Sequence, residues 1–139
     1  MPEKTRAKFN FLLASLYDSN KQYDQALSYY DKVIDSVPNY FVAQRAAGYL
    51  HVKKLNQIGA QLNASKTNIN ENKRLTALYN AEVKKTLHYL EKAQACDPTE
   101  DTHSLIKMLY KNIKDEQGLK FLDSRLAGLS KDCQDLITD

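Results

Sequence analysis

The apolar positions of this chain recur at three- and four-residue intervals almost from end to end, which is the period of an α-helix and not of a strand. Phe9, Leu12, Leu13, Leu16 and Tyr17 make one stripe. Tyr23, Ala26, Leu27, Tyr30, Val33, Ile34 and Val37 make the next. Between them Ser19-Asn20-Lys21-Gln22 reads as a polar turn, in which Asn20 can take the left-handed conformation that closes a helix. Pro38 ends the second stripe, because the residue before a proline resists helical torsions. Residues 5–37 therefore read as a helical hairpin.

A third stripe runs through Tyr40, Ala43, Ala47, Leu50, Leu55, Ile58 and Leu62 and predicts a helix over 40–63. Gly48 and Gly59 lie inside it, and each costs only about 1 kcal/mol relative to alanine. The polar, Asn-rich run 64–72 has loop chemistry, and Asn68 followed by Glu71 three residues later reads as a helix-start cap. A fourth stripe, Leu75, Leu78, Tyr79, Val83, Leu87, Leu90 and Ala93, stops at Cys96-Asp97-Pro98. Two shorter helices follow, marked by Leu105, Met108, Leu109 and Ile113 and then by Leu119, Leu122, Leu126 and Leu129, with Lys114-Asp115-Glu116 turning between them. Residues 131–139 read as a polar, frayed tail. The expectation is five or six helices, arranged in pairs.

Hairpins closed by a proline are the pattern of stacked helical repeats. Residues 5–38 resemble the tetratricopeptide repeat through Leu13, Ala14, Tyr17, Ala26, Tyr30, Val33 and Pro38. Asn10 stands where that family usually has Trp, and Val33 where it usually has Ala. Residues 39–98 resemble a stretched second repeat through Ala47, Gly48, Leu90, Ala93 and Pro98, with His51 in place of Tyr and Thr86 in place of Ala. From Pro38 to Pro98 is 60 residues, where a standard repeat takes about 34, leaving about 26. Divided evenly, about 13 extra residues would lengthen each helix by roughly 20 Å. The tip, Ser65 to Asn72, would then project beyond the rest. Residues 99–130 keep Tyr110 and Gly118 near family positions but lack a following proline, and resemble a degenerate capping repeat. The long second hairpin is similar to a group of exported bacterial proteins of this family. The resemblance implies an all-α fold, a right-handed superhelical stack of antiparallel helix pairs, with further repeats upstream in a precursor. It also implies a periplasmic or exported setting, with the cytoplasm as the alternative.

Composition narrows the function classes. Four Gly and three Pro in 139 residues disfavour a turn-rich all-β fold. Lys and Arg exceed Asp and Glu by only 20 to 17, and the two signs are interspersed, which argues against nucleic acid as a partner. No apolar run approaches the roughly 18 residues of a membrane span, and Met1-Pro2-Glu3-Lys4 leads into an amphipathic helix rather than a signal peptide. Cys96 and Cys133 could pair only if they met in space; the expectation is two unpaired thiols, one of them in the tail. His51, His88 and His103 are dispersed, none with a metal-ligating partner three or four residues on, and His88 with Glu91 reads as a surface pair. There is no Gly-rich phosphate loop and no serine nucleophile elbow. Neither metal, cofactor nor catalysis is expected. Of nine tyrosines, Tyr17, Tyr30, Tyr79 and Tyr110 fall on apolar stripes and read as core. Tyr23, Tyr29, Tyr40, Tyr49 and Tyr89 are less constrained and are candidates for a binding surface.

In the family that this chain resembles, the first helix of each pair lines a concave side that binds extended peptides or partner helices. Carried over, that side comprises Lys8, Phe11 and Ser15 from the first repeat and Arg45, Tyr49 and Val52 from the second. The family's carboxylate clamp is absent, because Phe11, Ser15 and Ala46 occupy its places. The reading is a non-enzymatic module that binds a peptide or partner protein. The alternatives are a scaffold self-associating through Leu55, Ile58, Leu62, Leu75, Leu78 and Tyr79, and a docking part of a larger assembly.

Overall fold

A computed structural model describes residues 2–133, the side chain of Asp132 excepted. The described residues are almost all helical and contain no strand. Helix α1 (Glu3–Ser19) pairs with α2 (Tyr23–Ser36), and α3 (Phe41–Ala64) pairs with α4 (Ile69–Cys96). Helices α5 (Glu100–Asn112), α6 (Glu116–Lys120) and α7 (Leu122–Leu129) follow, then a short 3-10 turn, Ser130–Asp132.

The turn between α1 and α2 closes one residue later than the sequence suggested. Asn20 keeps φ −90° and Lys21 takes the left-handed conformation at φ 60°. The Lys21 N–H donates to Asp18 O and the Gln22 N–H to Tyr17 O, so Asn20 is the last half-helical residue and Lys21 the one that must reverse the chain. Lys114, at φ 57°, closes α5 with the same bonds: its own N–H to Lys111 O and the Asp115 N–H to Tyr110 O.

The face that α1 buries also differs from its apolar stripe. Ala7 and Ala14 are fully buried, and their small size lets α2 approach closely. Phe11 and Tyr17, half-buried, pack their rings on Tyr30 and Tyr29 at centroid distances of 5.7 and 5.5 Å. Phe9, Leu12 and Leu16 point away from this contact and are 52%, 67% and 60% exposed. A 3.6-residue period reports that a helix has an apolar face, and α1 has two.

The second hairpin is longer than the first, but unevenly: 24 and 28 residues in α3 and α4 against 17 and 14 in α1 and α2. The expected loop over 64–72 shrinks to residues 65–68, because the Asn68 side chain accepts from the Glu71 N–H and starts α4 inside the Asn-rich run. Gly48 marks the closest approach of α3 to α4; a Cβ there would stand 2.7 Å from Leu90 Cδ2. Near the tip Leu55 and Leu75 are buried, and Ile58, Leu62 and Tyr79 are half-buried. Of the residues considered for self-association only Leu78 is open to solvent.

Two apolar clusters organise the chain. One joins α1, α2 and the first half of α3 through Ala26, Leu27, Tyr30, Val33, Tyr40, Ala43, Ala47 and Leu50. Tyr40, considered above for a binding surface, is 2% exposed in that cluster. The other joins α3, α4, α5 and α7 through Leu55, Val83, Leu87, Leu90, Ile106, Leu109, Tyr110 and Leu122. The helix expected around Leu119–Leu129 is broken at Phe121, which caps both α6 and α7.

Cys96 and Cys133 form a disulfide, contrary to the expectation of free thiols. The 3-10 turn after α7 returns the chain to the C-terminal end of α4, where the two Cα atoms are 5.4 Å apart. The first residues of the presumed frayed tail are thus a covalent staple; residues 134–139 lie outside the described ones.

Candidate functional site

The first helices of the successive pairs, α1, α3 and α5, are bridged along one side by polar contacts. Lys53 lies 3.9 Å from Asp18, and the Tyr49 hydroxyl is 2.9 Å from Thr102 Oγ1. Arg45 donates from Nη1 to Asp97 Oδ2 at 2.7 Å and from Nη2 to the Asp97 carbonyl. The six residues assigned to this side by resemblance are therefore not equally free. Lys8 and Tyr49 are exposed, and Ser15 is half-buried. Arg45 is held by Asp97, Val52 packs against the second cluster, and Phe11 packs against the first. Met108 of α5 is an apolar side chain 49% exposed.

The opposite side carries an open groove of about 940 Å³ between α2 and α4, floored by α3. Its α2 wall presents Asp24, Asp31 and Asp35; its α4 wall presents Lys84, Lys85 and His88, with Lys54 on α3. Beneath these charges the groove is tied together. His51 Nδ1 lies 2.6 Å from Glu82 Oε1, both groups being nearly buried. The His51 ring stacks on Tyr89 at 5.0 Å, and the Tyr89 hydroxyl donates to Asp31 Oδ1 at 2.9 Å. Burial and then the Asp31 carboxylate raise the Tyr89 pKa well above the ordinary phenol value, so this donor keeps its proton. Burial and the Lys92 cation lower the His88 pKa, which outweighs the opposing pull of Glu91.

Glu91 does not form the expected surface pair with His88. It is buried, accepts from the Tyr110 hydroxyl, and accepts from Arg125 Nε at 2.8 Å; Arg125 Nη2 also donates to Tyr110 at 2.6 Å. This triad joins α4, α5 and α7 and is part of the packing.

The sequence reading passed over the groove. Asp24, Asp31 and Asp35 are spaced seven and four apart, hence on one face of α2, and Lys84 and His88 are four apart on α4. Those spacings were the available signal, but charge spacing on one helix says nothing about the helix opposite. Chemically the arrangement offers two walls of opposite sign over a polar floor of Gln44, His51 and Lys54. No cluster of three metal-ligating side chains exists among the described residues, and no described helix is long and apolar enough to cross a membrane. Compared with family models, curated proteins and solved structures, the chain has no match.

Proposed function

We propose that this chain is a non-enzymatic interaction module, a stack of tetratricopeptide-like helix pairs that takes a peptide or partner protein on the side made by α1, α3 and α5. The observation that carries the reading is Tyr49 and Met108, two large side chains left open on α3 and α5, which the Tyr49–Thr102 hydrogen bond joins. Aromatic and methionine side chains are the groups that interfaces enrich. The interspersed charge favours protein over nucleic acid. The Cys96–Cys133 bridge favours an oxidising compartment, in keeping with an exported or periplasmic setting over the cytoplasm.

The test is capture on the immobilised chain followed by calorimetric titration of the retained protein. Tyr49→Ala with Met108→Ala should weaken binding at least tenfold, about 1.4 kcal/mol or more. An unchanged Kd rejects this side as the site. The charged groove favours a second reading, a ligand with cations toward α2 and carboxylates toward α4. Under that reading Asp35→Lys with Lys85→Glu, both at exposed positions, would weaken binding while the Tyr49 and Met108 changes would not.

A further inference from the structure

Next to the charged groove, a smaller recess of about 390 Å³ lies between α4, the end of α5 and α7. Lys84, His88 and Lys92 of α4 line it at four-residue steps, so they share one face of the helix, about 6 Å apart along its axis. Arg125 of α7 lines it as well. Its guanidinium is held at two nitrogens: Nε donates to Glu91 Oε1 at 2.8 Å and Nη2 to the Tyr110 hydroxyl at 2.6 Å. Its Nη1 makes no hydrogen bond among the described residues. Two carboxylates also line the recess, and both are engaged. Glu91 is buried and accepts from Tyr110 and Arg125, and Asp115 accepts from the Gly118 N–H as the cap of α6. Lys84 and Lys92 have no ion-pair partner among the described residues. Three cations thus meet two occupied carboxylates, and the recess keeps a positive surplus before His88 is counted. The rest of its wall is apolar: Leu87 is buried, Ile113 half-buried, and Leu129 38% exposed.

We infer that this recess is a binding site for a small organic anion, a carboxylate or phosphate carried on an apolar body. The anionic group takes the open Nη1 edge of Arg125, a fork whose orientation Glu91 and Tyr110 have already fixed, with the unpaired lysines of α4 beside it. The apolar body lies against Leu87, Ile113 and Leu129. Volume favours a small molecule over a helix of a partner protein. One turn of an α-helix with its side chains, about 10 Å across and about 5.4 Å long, already takes about 420 Å³, whereas small-ligand pockets run from roughly 300 to 1,000 Å³. The site goes beyond the partner-binding side, since neither Tyr49 nor Met108 belongs to it. It meets the wider groove only at Lys84 and His88; Lys54 and Lys85 line the groove alone.

Phenyl phosphate and inorganic phosphate, titrated calorimetrically into the full chain at low ionic strength, test the assignment. Phenyl phosphate should saturate one site and bind about tenfold or more tightly than inorganic phosphate, which has no body for the apolar wall. Lys84→Gln with Lys92→Gln should weaken it by about tenfold or more. Lys54→Gln with Lys85→Gln should change its Kd by less than about threefold, because those charges are screened from the recess. None of the four lysines is buried, and the urea midpoint of each double variant checks that the fold is kept. No saturable binding of phenyl phosphate overturns the inference. Equal weakening by the two double variants also overturns it, since the anion then responds to a diffuse positive surface. Equal affinity for the two phosphates overturns the organic class of the ligand. Weakening by Lys54→Gln with Lys85→Gln alone moves the anion into the wider groove, which overturns this site and favours the second reading given above.

Discussion

At the end formed by α4, α5 and α7 the apolar positions are covered, a buried triad crosses three helices, and a disulfide closes the chain. At the α1 end the apolar side chains of Phe9, Leu12 and Leu16 are more than half exposed. Composition does not separate the ends, since both are built from Leu-rich amphipathic helices. What differs is whether a later segment folds back. Helix α7 returns to α4 and supplies Leu122 and Arg125, whereas no described segment crosses the outer face of α1. An exposed apolar row is better evidence of an interaction surface than an isolated exposed leucine.

The largest expected effect breaks the closed end. Reducing Cys96–Cys133 releases a loop with sequence separation 37, for which the chain-entropy relation gives about 4 kcal/mol. Hydrogen exchange before and after reduction should show faster exchange in α7 and the end of α4. The α1 and α2 amides should be unchanged. Equal acceleration at both ends would mean that the two clusters unfold as one unit.

Next in size is the triad. Glu91→Ala removes the acceptor of the buried Tyr110 hydroxyl and the partner of Arg125. A buried donor left unpaired costs about 1–3 kcal/mol. Arg125 is partly open to water, which keeps its own penalty small. The expected loss is about 2–3 kcal/mol in urea unfolding. By contrast Leu12→Lys, at the open end, should change stability by less than about 0.5 kcal/mol.

How far the sequence disclosed these ends follows from what periodicity measures. The fourth stripe places Val83, Leu87 and Leu90 correctly because α4 has one apolar face there. The first stripe pointed to Phe9, Leu12 and Leu16, while the buried face is Ala7 and Ala14, because alanine adds little to an apolar pattern yet permits close packing. The repeat resemblance picked out Gly48 and Leu90 separately, and their approach to each other is seen only in the fold. The disulfide, the triad and the groove were not legible, because each joins residues at least 15 apart through a tertiary path that no local spacing encodes.

A shallower effect lies between the ends. His88 borders both the charged groove and the smaller recess beside Tyr110 and Arg125. Burial and Lys92 push its pKa below the ordinary 6.5, so the folded chain holds this proton less readily than the unfolded chain. The unfolded state binds more protons in the window from about 6.5 down to the folded value, and stability falls as pH drops through it. Above that window both states are neutral at His88 and it contributes no slope. His88→Gln should flatten the fall in urea midpoint below pH 6.5. An unchanged fall would assign it to other groups.

The smallest effect sharpens the comparison by being the same at both ends. Lys21 closes α1 at the open end and Lys114 closes α5 at the closed end, each with φ near +60° and the same pair of terminal hydrogen bonds. A side chain bearing a Cβ pays about 1 kcal/mol or more there, which glycine avoids, although glycine also gives the unfolded chain more freedom. The net gain for Lys21→Gly or Lys114→Gly is about 0.5 kcal/mol, a rise of roughly 1–2 °C in Tm for a chain of this size. Because the cost is local to one backbone residue, the two gains should agree. A gain at Lys114 alone would mean that the α1–α2 turn opens independently of the global transition. The open end would then be a separately unfolding unit.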